Sequence, residues 1–422
     1  MAAAVGANSL TTLNGFFKDV FASTANKVIP ECAEFQKGIS FETRNRLGEK
    51  FSQPVQLTRP HGFTYETGDA GAFELNAPVA SIHKEATLVG SEIVLREYIP
   101  YKVAASGVSN KQAFAASVGH IVTGMTEAAR FRNECSLIYG GRSLADTATV
   151  TGASTTRVLT FAEKDWAPFL WAGAETAKID IYTSTSTKVN AANDITITAV
   201  DIDSRTLSIS GDATELLAVD ALTGGDLRVY WKGSFGKEMT GVYNIAGSSG
   251  QLFGVDGSVY GLWAGNSYGV GSVALDLDKV AKGFALATNK GAKKLRYKLH
   301  VNPNTFADLN ADQSALRAYD SSYGPEKGKN GFQQITYYCT AGEVEIIPNA
   351  MIQGGFALGV CYDHFMRLGS TDLSYSVPGS NERFLNELPD HAGYSLRTYT
   401  DQAAFCEKPG LQVRFTGIVN TA

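Results

Sequence analysis

The chain has 422 residues, of which 44% are hydrophobic and 19% are charged, and its formal net charge is −5. This length is ample for a sizeable core and for two or three domains. The slightly acidic balance supplies no basic field to attract nucleic acid, which argues against a dedicated DNA-binding protein but is compatible with a container for confined DNA.

The cysteines and the first residues bear on the compartment. The cysteines are widely spaced and form no C-x-x-C pair: Cys32, Cys135, Cys339, Cys361 and Cys406. This spacing argues against a disulfide scaffold or a zinc site and predicts buried free thiols. The opening stretch MAAAVGANSLTTL has no positively charged region and no sustained apolar run, so no signal peptide is predicted. No segment has an apolar run long enough to span a bilayer. We therefore expect a soluble cytoplasmic protein.

The first predicted element is an amphipathic helix over residues 9–23. Ser9 can cap it, and apolar residues recur at helical spacing: Leu10, Leu13, Phe17, Val20 and Phe21. Pro30 interrupts the chain soon after this helix. Such a segment can pack on its own domain or extend to a neighbouring molecule, and both interpretations stay open.

Residues 38–100 are predicted to be extended. The run FSQPVQLTRPHGFTYE mixes polar and apolar residues, and KEATLVGSEIVLREYIPY predicts a returning pair of strands. A long two-stranded excursion with a polar tip buries little of itself, and isolated hairpins are marginally stable in water. We expect it either to lie on another surface or to be a peripheral sheet of its own domain.

Residues 110–139 give the clearest helix prediction. Ser109 and Gln112 form a capping-box pattern, and Gly140-Gly141 ends the helix. About 30 residues at 1.5 Å each span roughly 45 Å, which is long for a globular protein. One apolar stripe contains Phe114, Val118, Ile121, Val122, Met125, Ala129, Cys135 and Ile138. The residues expected off this stripe are Lys111, Glu127, Arg130 and Glu134. The internal Gly119 and Gly124 predict close packing of another backbone.

Residues 146–236 have a different composition, rich in Thr, Ser, Asp and Val. The stretches KIDIYTS, DITITAVDI, TLSISG and DLRVYWKG alternate with period two, and Asp203-Ser204 predicts a hairpin turn between two of them. We expect a small β-barrel or β-sandwich inserted into the main domain.

The remaining part begins with a glycine- and aromatic-rich segment, GVYNIAGSSGQLFGVDGSVYGLWAGNSYGVG. After it, the sequence predicts a helix capped by Asp276, a buried strand YKLHV, and a helix starting at Asn302-Pro303. A hairpin around Ala341-Gly342 and the strands GGFALGV, YSLRTYT and QVRFTGI complete the chain. Helices packed on a mixed sheet place the core in the α+β class.

No catalytic, cofactor or metal site is predicted, and we do not expect an enzyme. The six histidines lack H-E-x-x-H spacing. The stretch GPEKGKN at 324–330 is one residue short of a phosphate loop, and the G-x-G-x-x-A pattern from Gly269 lacks the strand and acidic residue that a dinucleotide site needs. The basic cluster Lys290, Lys293, Lys294, Arg296 and Lys298 fits phosphate binding or, equally, a helix end and an edge strand.

The order of these elements, with GQLFGVDGSVYGLW, the LDLDKVA helix and LHVNPNTF, resembles the major capsid protein family of tailed bacteriophages, the Hong Kong ninety-seven type of fold. The resemblance implies an N-terminal arm (1–37), an extended loop with flanking strands (38–100), a spine helix and peripheral domain (101–145), a β-rich insertion domain (146–236), and an axial and remaining peripheral domain (237–422).

By the same resemblance, the chain would be a coat protein that self-assembles into an icosahedral shell around double-stranded DNA, which it binds without sequence specificity. It would form pentamers and hexamers, sit in the virion after assembly in the host cytoplasm, and contact a portal and a decoration protein. The arm starts close to Met1, which leaves no room for a fused scaffold and implies a separate scaffolding protein. The implied subunit contacts are Phe17, Phe21, Arg59, His61, Phe63, Tyr65, Phe73, Trp263 and Tyr268.

Two alternatives remain open. An encapsulin-type compartment shares the fold, and a β-rich surface or binding protein would share the strand content. The β insertion argues against the first of these, and the free thiols and lack of a signal peptide argue against the second.

Overall fold

A computed structural model describes residues 33–43, 50–68, 71–101, 111–146, 148–222, 226–317, 335–375, 385–387 and 391–421. Several sequence predictions lie outside these ranges: the helix over 9–23 with Phe17 and Phe21, Cys32, the capping residue Ser109, and the stretch at 324–330.

The helices and strands of the described residues agree with the predicted α+β class. The helices are α1 (Glu34–Gly38), α2 (Lys111–Tyr139), α3 (Pro168–Trp171), α4 (Ala213–Asp220), α5 (Val242–Ala246), α6 (Leu277–Asn289) and α7 (Pro303–Arg317). The strands are β1 (Phe41–Glu42), β2 (Lys50–Gln56), β3 (His83–Val89), β4 (Ser91–Pro100), β5 (Ala148–Ala153), β6 (Thr156–Phe161), β7 (Lys178–Tyr182), β8 (Ile195–Asp201), β9 (Thr206–Ser210), β10 (Arg228–Trp231), β11 (Gln251–Leu252), β12 (Val255–Asp256), β13 (Asn266–Val273), β14 (Leu295–Val301), β15 (Ile335–Cys339), β16 (Gly342–Pro348), β17 (Phe356–Val360), β18 (Phe365–Ser374), β19 (Leu385–Glu387), β20 (Gly393–Cys406) and β21 (Val413–Ile418).

The chain divides into two compact units. The first lies within Met1–Arg44, Gly90–Gly241 and Arg367–Ala404, and the second within Asn45–Val89, Val242–Met366 and Phe405–Ala422. Each unit is therefore built from segments that are far apart in sequence.

The long helix α2 organises the first unit, where the sequence predicts it. Ile121, Met125 and Ala129 on its predicted stripe are buried, and Ile121 and Met125 pack with Ile99 and Leu396 of the neighbouring sheet. Strand β4 lies in that sheet, where it pairs antiparallel with β20 from Ser91↔Gln402 to Pro100↔Gly393. The prediction that β3 and β4 form one returning pair is wrong, because these strands belong to different sheets.

Two details of α2 correct the sequence prediction. Glu134 was expected off the apolar stripe, yet it is fully buried, because its carboxylate accepts hydrogen bonds from the backbone N–H groups of Phe35 (2.8 Å) and Gln36 (3.0 Å) at the start of α1. Gly124 was expected to admit a second backbone. A Cβ atom built there meets nothing within 4 Å outside the helix's own backbone, so no close packing occurs at that position.

The strands β5 to β10 form a six-stranded antiparallel sheet in the order β10-β7-β8-β9-β6-β5. Its hairpin between β8 and β9 turns at the predicted Asp203-Ser204, where Asp201 accepts hydrogen bonds from both backbone N–H groups. A bridge between Ala145 and Val229 brings the segment before β5 against β10, the strand at the other end of the order. The two ends of the sheet are thereby joined.

An aromatic cluster joins strands β6 and β10 of this sheet to the segment after β6. The rings of Phe161, Trp166 and Trp171 lie 5.9–6.3 Å apart, and Trp171 also contacts Trp231 at 5.4 Å. The guanidinium of Arg132 on α2 lies 3.5 Å from the centre of the Trp231 ring. Helix α2 and the β sheet therefore share a cation–π contact.

The second unit is built on a mixed six-stranded sheet in the order β13-β21-β17-β14-β16-β15. Its core includes Phe284, Tyr297 and Phe415, and helix α6 packs so closely that a Cβ atom on Gly283 would lie 2.2 Å from the Phe415 ring. Asp276 caps α6 as predicted, since its side chain accepts a hydrogen bond from Lys279 N. The predicted hairpin around Ala341-Gly342 is also confirmed, as β15 and β16.

The basic cluster near 290–298 has structural contacts. The ammonium group of Lys290 donates hydrogen bonds to the carbonyls of Ala264 (2.8 Å) and Gly265 (2.9 Å), which fixes the end of α6 against the glycine-rich segment. Strand β14, which carries Arg296 and Lys298, lies between β16 and β17. The edge-strand explanation for these charges is therefore wrong.

Two glycines of the first unit provide a matched stability test. At Gly140 a Cβ atom would lie 2.0 Å from the carbonyl oxygen of Met239, whereas at Gly124 the space is open. We expect Gly140→Ala to lower the free energy of unfolding by about 1–3 kcal/mol through overpacking. Gly124→Ala should raise it by about 0.5–1 kcal/mol, because Ala is the better helix former. Denaturant unfolding of both variants checks this, and equal effects at the two sites would contradict the packing described.

Glu134 predicts a pH dependence of stability. Burial raises its pKa from 4.5 to about 7, against the opposing effect of the two backbone N–H donors. The unfolded chain therefore loses this proton at a lower pH than the folded chain, and the free energy of unfolding falls as pH rises from 4.5 to about 7. Glu134→Gln removes this part of the dependence and leaves a constant offset. If the stability difference between the two proteins is the same at pH 5 and pH 8, the buried carboxyl does not titrate in this window.

Candidate functional site: an exposed extended loop

The hairpin of β2 and β3 anchors a long loop to the second unit. Its strands pair from Lys50↔Val89 to Gln56↔His83, and Phe51 and Leu88 are buried at its base. The backbone N–H of Thr87 donates to the carbonyl of Phe253 at 2.9 Å. Phe253 (φ 53°) and Gly254 (φ 80°) occupy the turn between β11 and β12, and positive φ at both positions is typical of a type I′ hairpin. A backbone carbonyl of the glycine-rich segment thus accepts a hydrogen bond from strand β3.

Residues 57–82, here called the exposed loop, continue beyond the hairpin as two tied arms. Leu57 N donates to Ile82 O at 2.9 Å, and Ile82 N donates to the Thr58 hydroxyl at 2.7 Å. Farther out, His61 N donates to Val79 O at 3.0 Å. These bonds satisfy backbone groups across the two arms and hold them side by side, although no regular strand forms in the described part of the loop.

Asn76 fastens the outer part of the exposed loop. Its backbone N–H donates to the Thr64 hydroxyl at 2.8 Å, and its side-chain amide donates to the carbonyl of Phe63 at 2.9 Å. The backbone at Gly62 also passes close to the other arm, since a Cβ atom there would lie 3.2 Å from the Cα of Pro78. The described part of the loop therefore has a defined conformation.

The exposed loop presents its apolar side chains to solvent. The exposed fractions are 88% for Tyr65, 74% for Leu75, 68% for Phe63, 54% for Val79, 48% for Phe73 and 43% for Ile82. Single exposed apolar residues are common on protein surfaces, but a run of them on one projecting segment is typical of an interaction surface.

The predicted contact residues fall into four groups. Arg59, His61, Phe63, Tyr65 and Phe73 all lie on the exposed loop and are exposed. Trp263 is only 2% exposed and its indole N–H donates to Leu252 O at 3.0 Å, so it has almost no surface left for a second molecule. Tyr268 is half-buried, with its ring centre 5.9 Å from that of Phe415. Phe17 and Phe21 lie outside the described residues.

Sequence reasoning missed three members of this surface: Leu75, Val79 and Ile82. Their run, ELNAPVASI, looks weakly apolar, and a strand with that composition could as well be half-buried. The signal that could have found them is Pro78, which disfavours a paired central strand and so indicates an exposed segment.

The described residues contain no group of three or more His, Cys, Asp or Glu side chains placed to hold a metal ion. Within the same ranges, no helix has the length and apolarity needed to cross a membrane. His300 is buried, and its Nε2 lies 2.6 Å from the Tyr362 hydroxyl. Gly269 and Gly271 lie within strand β13 rather than in a turn after a strand, which does not fit the dinucleotide pattern.

The four described cysteines are free thiols: Cys135, Cys361 and Cys406 are buried, as predicted, whereas Cys339 is half-buried. Burial raises the pKa of Cys361 to about 11 and raises those of Cys135 and Cys406 as well. A buried thiol with a raised pKa is a poor nucleophile at neutral pH. These three buried cysteines therefore act as small apolar residues of the core.

The fold is similar to that of a chain in a solved phage capsid. A chain of the cyanophage A-1(L) capsid asymmetric unit matches with a TM-score of 0.55 and 10% sequence identity over 97% of this chain and 99% of that one. Chains of the capsid of the native GTA particle (TM-score 0.48, 8% identity, 98% and 99% covered) and of cyanophage P-SCSP1u (0.47, 9%, 97% and 95%) are also similar. No family model matches the sequence, and neither does any curated protein. The capsid-type fold that the resemblance implies is therefore confirmed, and the arm, spine helix and insertion domain that it also implies stay predictions.

The fastening of the exposed loop can be tested by proteolysis. Asn76→Ala removes the hydrogen bond to Phe63 O and should speed chymotrypsin cleavage at Phe63, Tyr65 or Phe73 several-fold. The global free energy of unfolding should stay within about 0.5 kcal/mol of wild type, because the site is exposed. Glu74→Ala, on the same loop, is the matched control and should be cleaved at the wild-type rate. Equal cleavage of both variants would show that Asn76 does not order the loop.

Proposed function

We propose that this chain is the major capsid protein of a tailed bacteriophage, which assembles with copies of itself into an icosahedral shell around double-stranded DNA. The observation that carries the proposal is the match to a capsid chain over nearly the full length of both chains, with a TM-score of 0.55. An enzyme is disfavoured, because the exposed loop offers apolar contact surface and no cluster of reactive groups among its described residues.

The exposed loop supplies the tie between subunits. Its apolar side chains gain free energy when a neighbouring copy covers them, at about 25 cal/mol per Å² before the cost of association. Its own unit holds the base through the β2–β3 pairing, so the loop can reach a neighbour without loss of the fold. In a closed shell, each subunit would donate one such loop and receive another, which is a heterologous contact.

We also propose a structural role for each segment of the chain. Residues 1–37 would be an arm, 38–100 the extended loop with its strands, and 101–145 the spine helix and peripheral domain. Residues 146–236 would be an insertion domain, and 237–422 the axial and remaining peripheral domain. Pentamers and hexamers would form the shell.

Further partners belong to the same proposal. A separate scaffolding protein would guide assembly in the host cytoplasm, a portal would occupy one vertex, and a decoration protein would bind the outside of the virion. The DNA would be packaged without sequence-specific contacts, in keeping with the net charge of −5. The alternative of an encapsulin-type compartment can be distinguished from a phage capsid by the contents of the particles, since an encapsulin shell would hold protein rather than DNA.

The test replaces residues 57–82 by Asn-Gly. Because Gln56 pairs with His83, a two-residue type I′ turn can close the hairpin directly. The subunit should keep its circular dichroism spectrum and its thermal transition, while particles disappear from electron micrographs and from sedimentation profiles. A milder variant, Phe63→Ser with Tyr65→Ser, should reduce particle yield, and Glu66→Gln with Glu74→Gln is its control on the same loop.

Two outcomes would contradict the proposal in different ways. Shells formed at wild-type yield without residues 57–82 would show that the loop is not the tie, although the protein could still be a capsid subunit. Absence of particles from the wild-type chain, alone and with its scaffold, would contradict the capsid function itself.

A further inference from the structure

A cavity of about 580 Å³ lies within the first unit. Strand β4, helix α2 and the turn after β10 form its walls. We call this cavity the basic pocket, and its lining includes Arg132, Trp231, Lys232, Ser234, Lys237 and Glu238. Neither the capsid fold nor the proposed shell contacts assign it a role.

Arg132 is the central cation of the basic pocket. It is partly buried, and its guanidinium lies 3.5 Å from the centre of the Trp231 ring, a side chain that is 5% exposed. No carboxylate of the described residues forms an ion pair with it, and within these residues its buried Nη1 has no hydrogen-bond partner. A guanidinium that lies over an indole ring can still direct N–H groups to a planar or tetrahedral anion.

A second donor lies in the same wall. The Ser234 hydroxyl is buried and lacks a hydrogen-bond partner among the described residues. Trp231 Nε1 and Thr398 Oγ1, also in the lining, are likewise buried without a hydrogen-bond partner among the described residues. Buried polar groups are normally paired, so four unpaired atoms in one cavity indicate that a polar partner from outside the chain belongs there.

The charge around the cavity favours an anion. Arg132, Lys178, Lys232 and Lys237 face two carboxylates of the lining, Glu92 and Glu238. Asp194, outside the lining, holds both Lys178 and Lys232 at 2.6 Å. Even with Asp194 included, four cations stand against three carboxylates, and the cation that lies against the Trp231 ring, Arg132, has no ion pair within the described residues.

We propose that the basic pocket binds a small oxyanion, phosphate or carboxylate, whose oxygens accept hydrogen bonds from Arg132 and Ser234. Trp231 holds the guanidinium in place, and Lys237 at the rim attracts the anion. Charge-assisted hydrogen bonds from arginine to an oxyanion are the strong kind, and a partly buried site strengthens them further. The proposal does not depend on the role of the chain in a shell.

Glu238 makes the binding sensitive to pH. Burial raises the pKa of Glu238 to about 7, although the positive charge of Arg132 acts to lower it. Above that pH its carboxylate competes with the bound anion for Arg132, and below it the neutral acid does not. The other charged groups that face the pocket are Glu92 on β4, Lys178 on β7, and Lys232 and Lys237 in the turn.

The experiment is isothermal titration calorimetry of the full-length chain at constant ionic strength. Inorganic phosphate and acetate are the two probes, and they distinguish a phosphate from a carboxylate site. Sulfate, which keeps its charge across the range, is used to compare pH 6 and pH 8, with tighter binding expected at pH 6. Saturable binding of one oxyanion per chain is the expected result.

Three variants decide the assignment. Arg132→Gln should weaken binding roughly tenfold or more, as expected when a charged hydrogen bond is lost. Lys282→Gln removes one exposed charge in the other unit and is the control, with unchanged affinity expected. Glu238→Gln should tighten binding at pH 8 and abolish the pH dependence. If Arg132→Gln does not fold, the Glu238→Gln variant tests the proposal in its place.

The proposal is overturned if no probe binds saturably. It is equally overturned if Arg132→Gln and Lys282→Gln weaken binding to the same extent, because the anion would then sense only the overall charge. Unchanged affinity and pH dependence in Glu238→Gln would also place the anion elsewhere.

Discussion

The proposed assembly depends on one property of the exposed loop. Its backbone is hydrogen-bonded within the loop, but its apolar side chains are exposed to solvent. The two arms satisfy each other's backbone through bonds such as His61 N to Val79 O, which removes the cost of unpaired polar groups. The rings of Phe63 and Tyr65 nevertheless remain in water. A loop ordered in this way has already lost much of the conformational entropy that binding would otherwise cost, so a partner gains from covering it.

The glycine-rich segment makes this arrangement possible. Its turn at Phe253 and Gly254 places a carbonyl against β3, and its close backbone contacts hold it in place. At Gly265, for example, a Cβ atom would lie 2.3 Å from the carbonyl oxygen of Ala246. The packing is similarly close at Gly241 and Gly247, so no side chain fits at these three positions, whereas Gly250, Gly261 and Gly269 have open space. The base of the loop is thus held by backbone packing and a backbone hydrogen bond rather than by reactive or charged side chains.

Much of the fold could be predicted from the sequence, because local periodicity and capping determine the helices and hairpins. Helix α2, the Asp276 cap and the turn at Asp203-Ser204 are all where the pattern predicts them. The failures concern long-range pairing. The burial of Glu134 depends on donors about a hundred residues away, and the partner of β4 is β20. For the site, five exposed loop residues were predicted, but the burial of Trp263 arises from a turn whose geometry the sequence does not specify.

The central claim is that copies of this chain cover the exposed loop. Hydrogen–deuterium exchange of residues 57–82, compared between dissociated subunits and assembled particles, tests this most directly. The account predicts slow exchange along the loop only in the particles, with the strongest change near Phe63 and Tyr65, while amides buried in the β14–β16 ladder exchange slowly in both states. Equal exchange of the loop in both states would contradict the account, because the apolar surface would then stay open to solvent in the assembly.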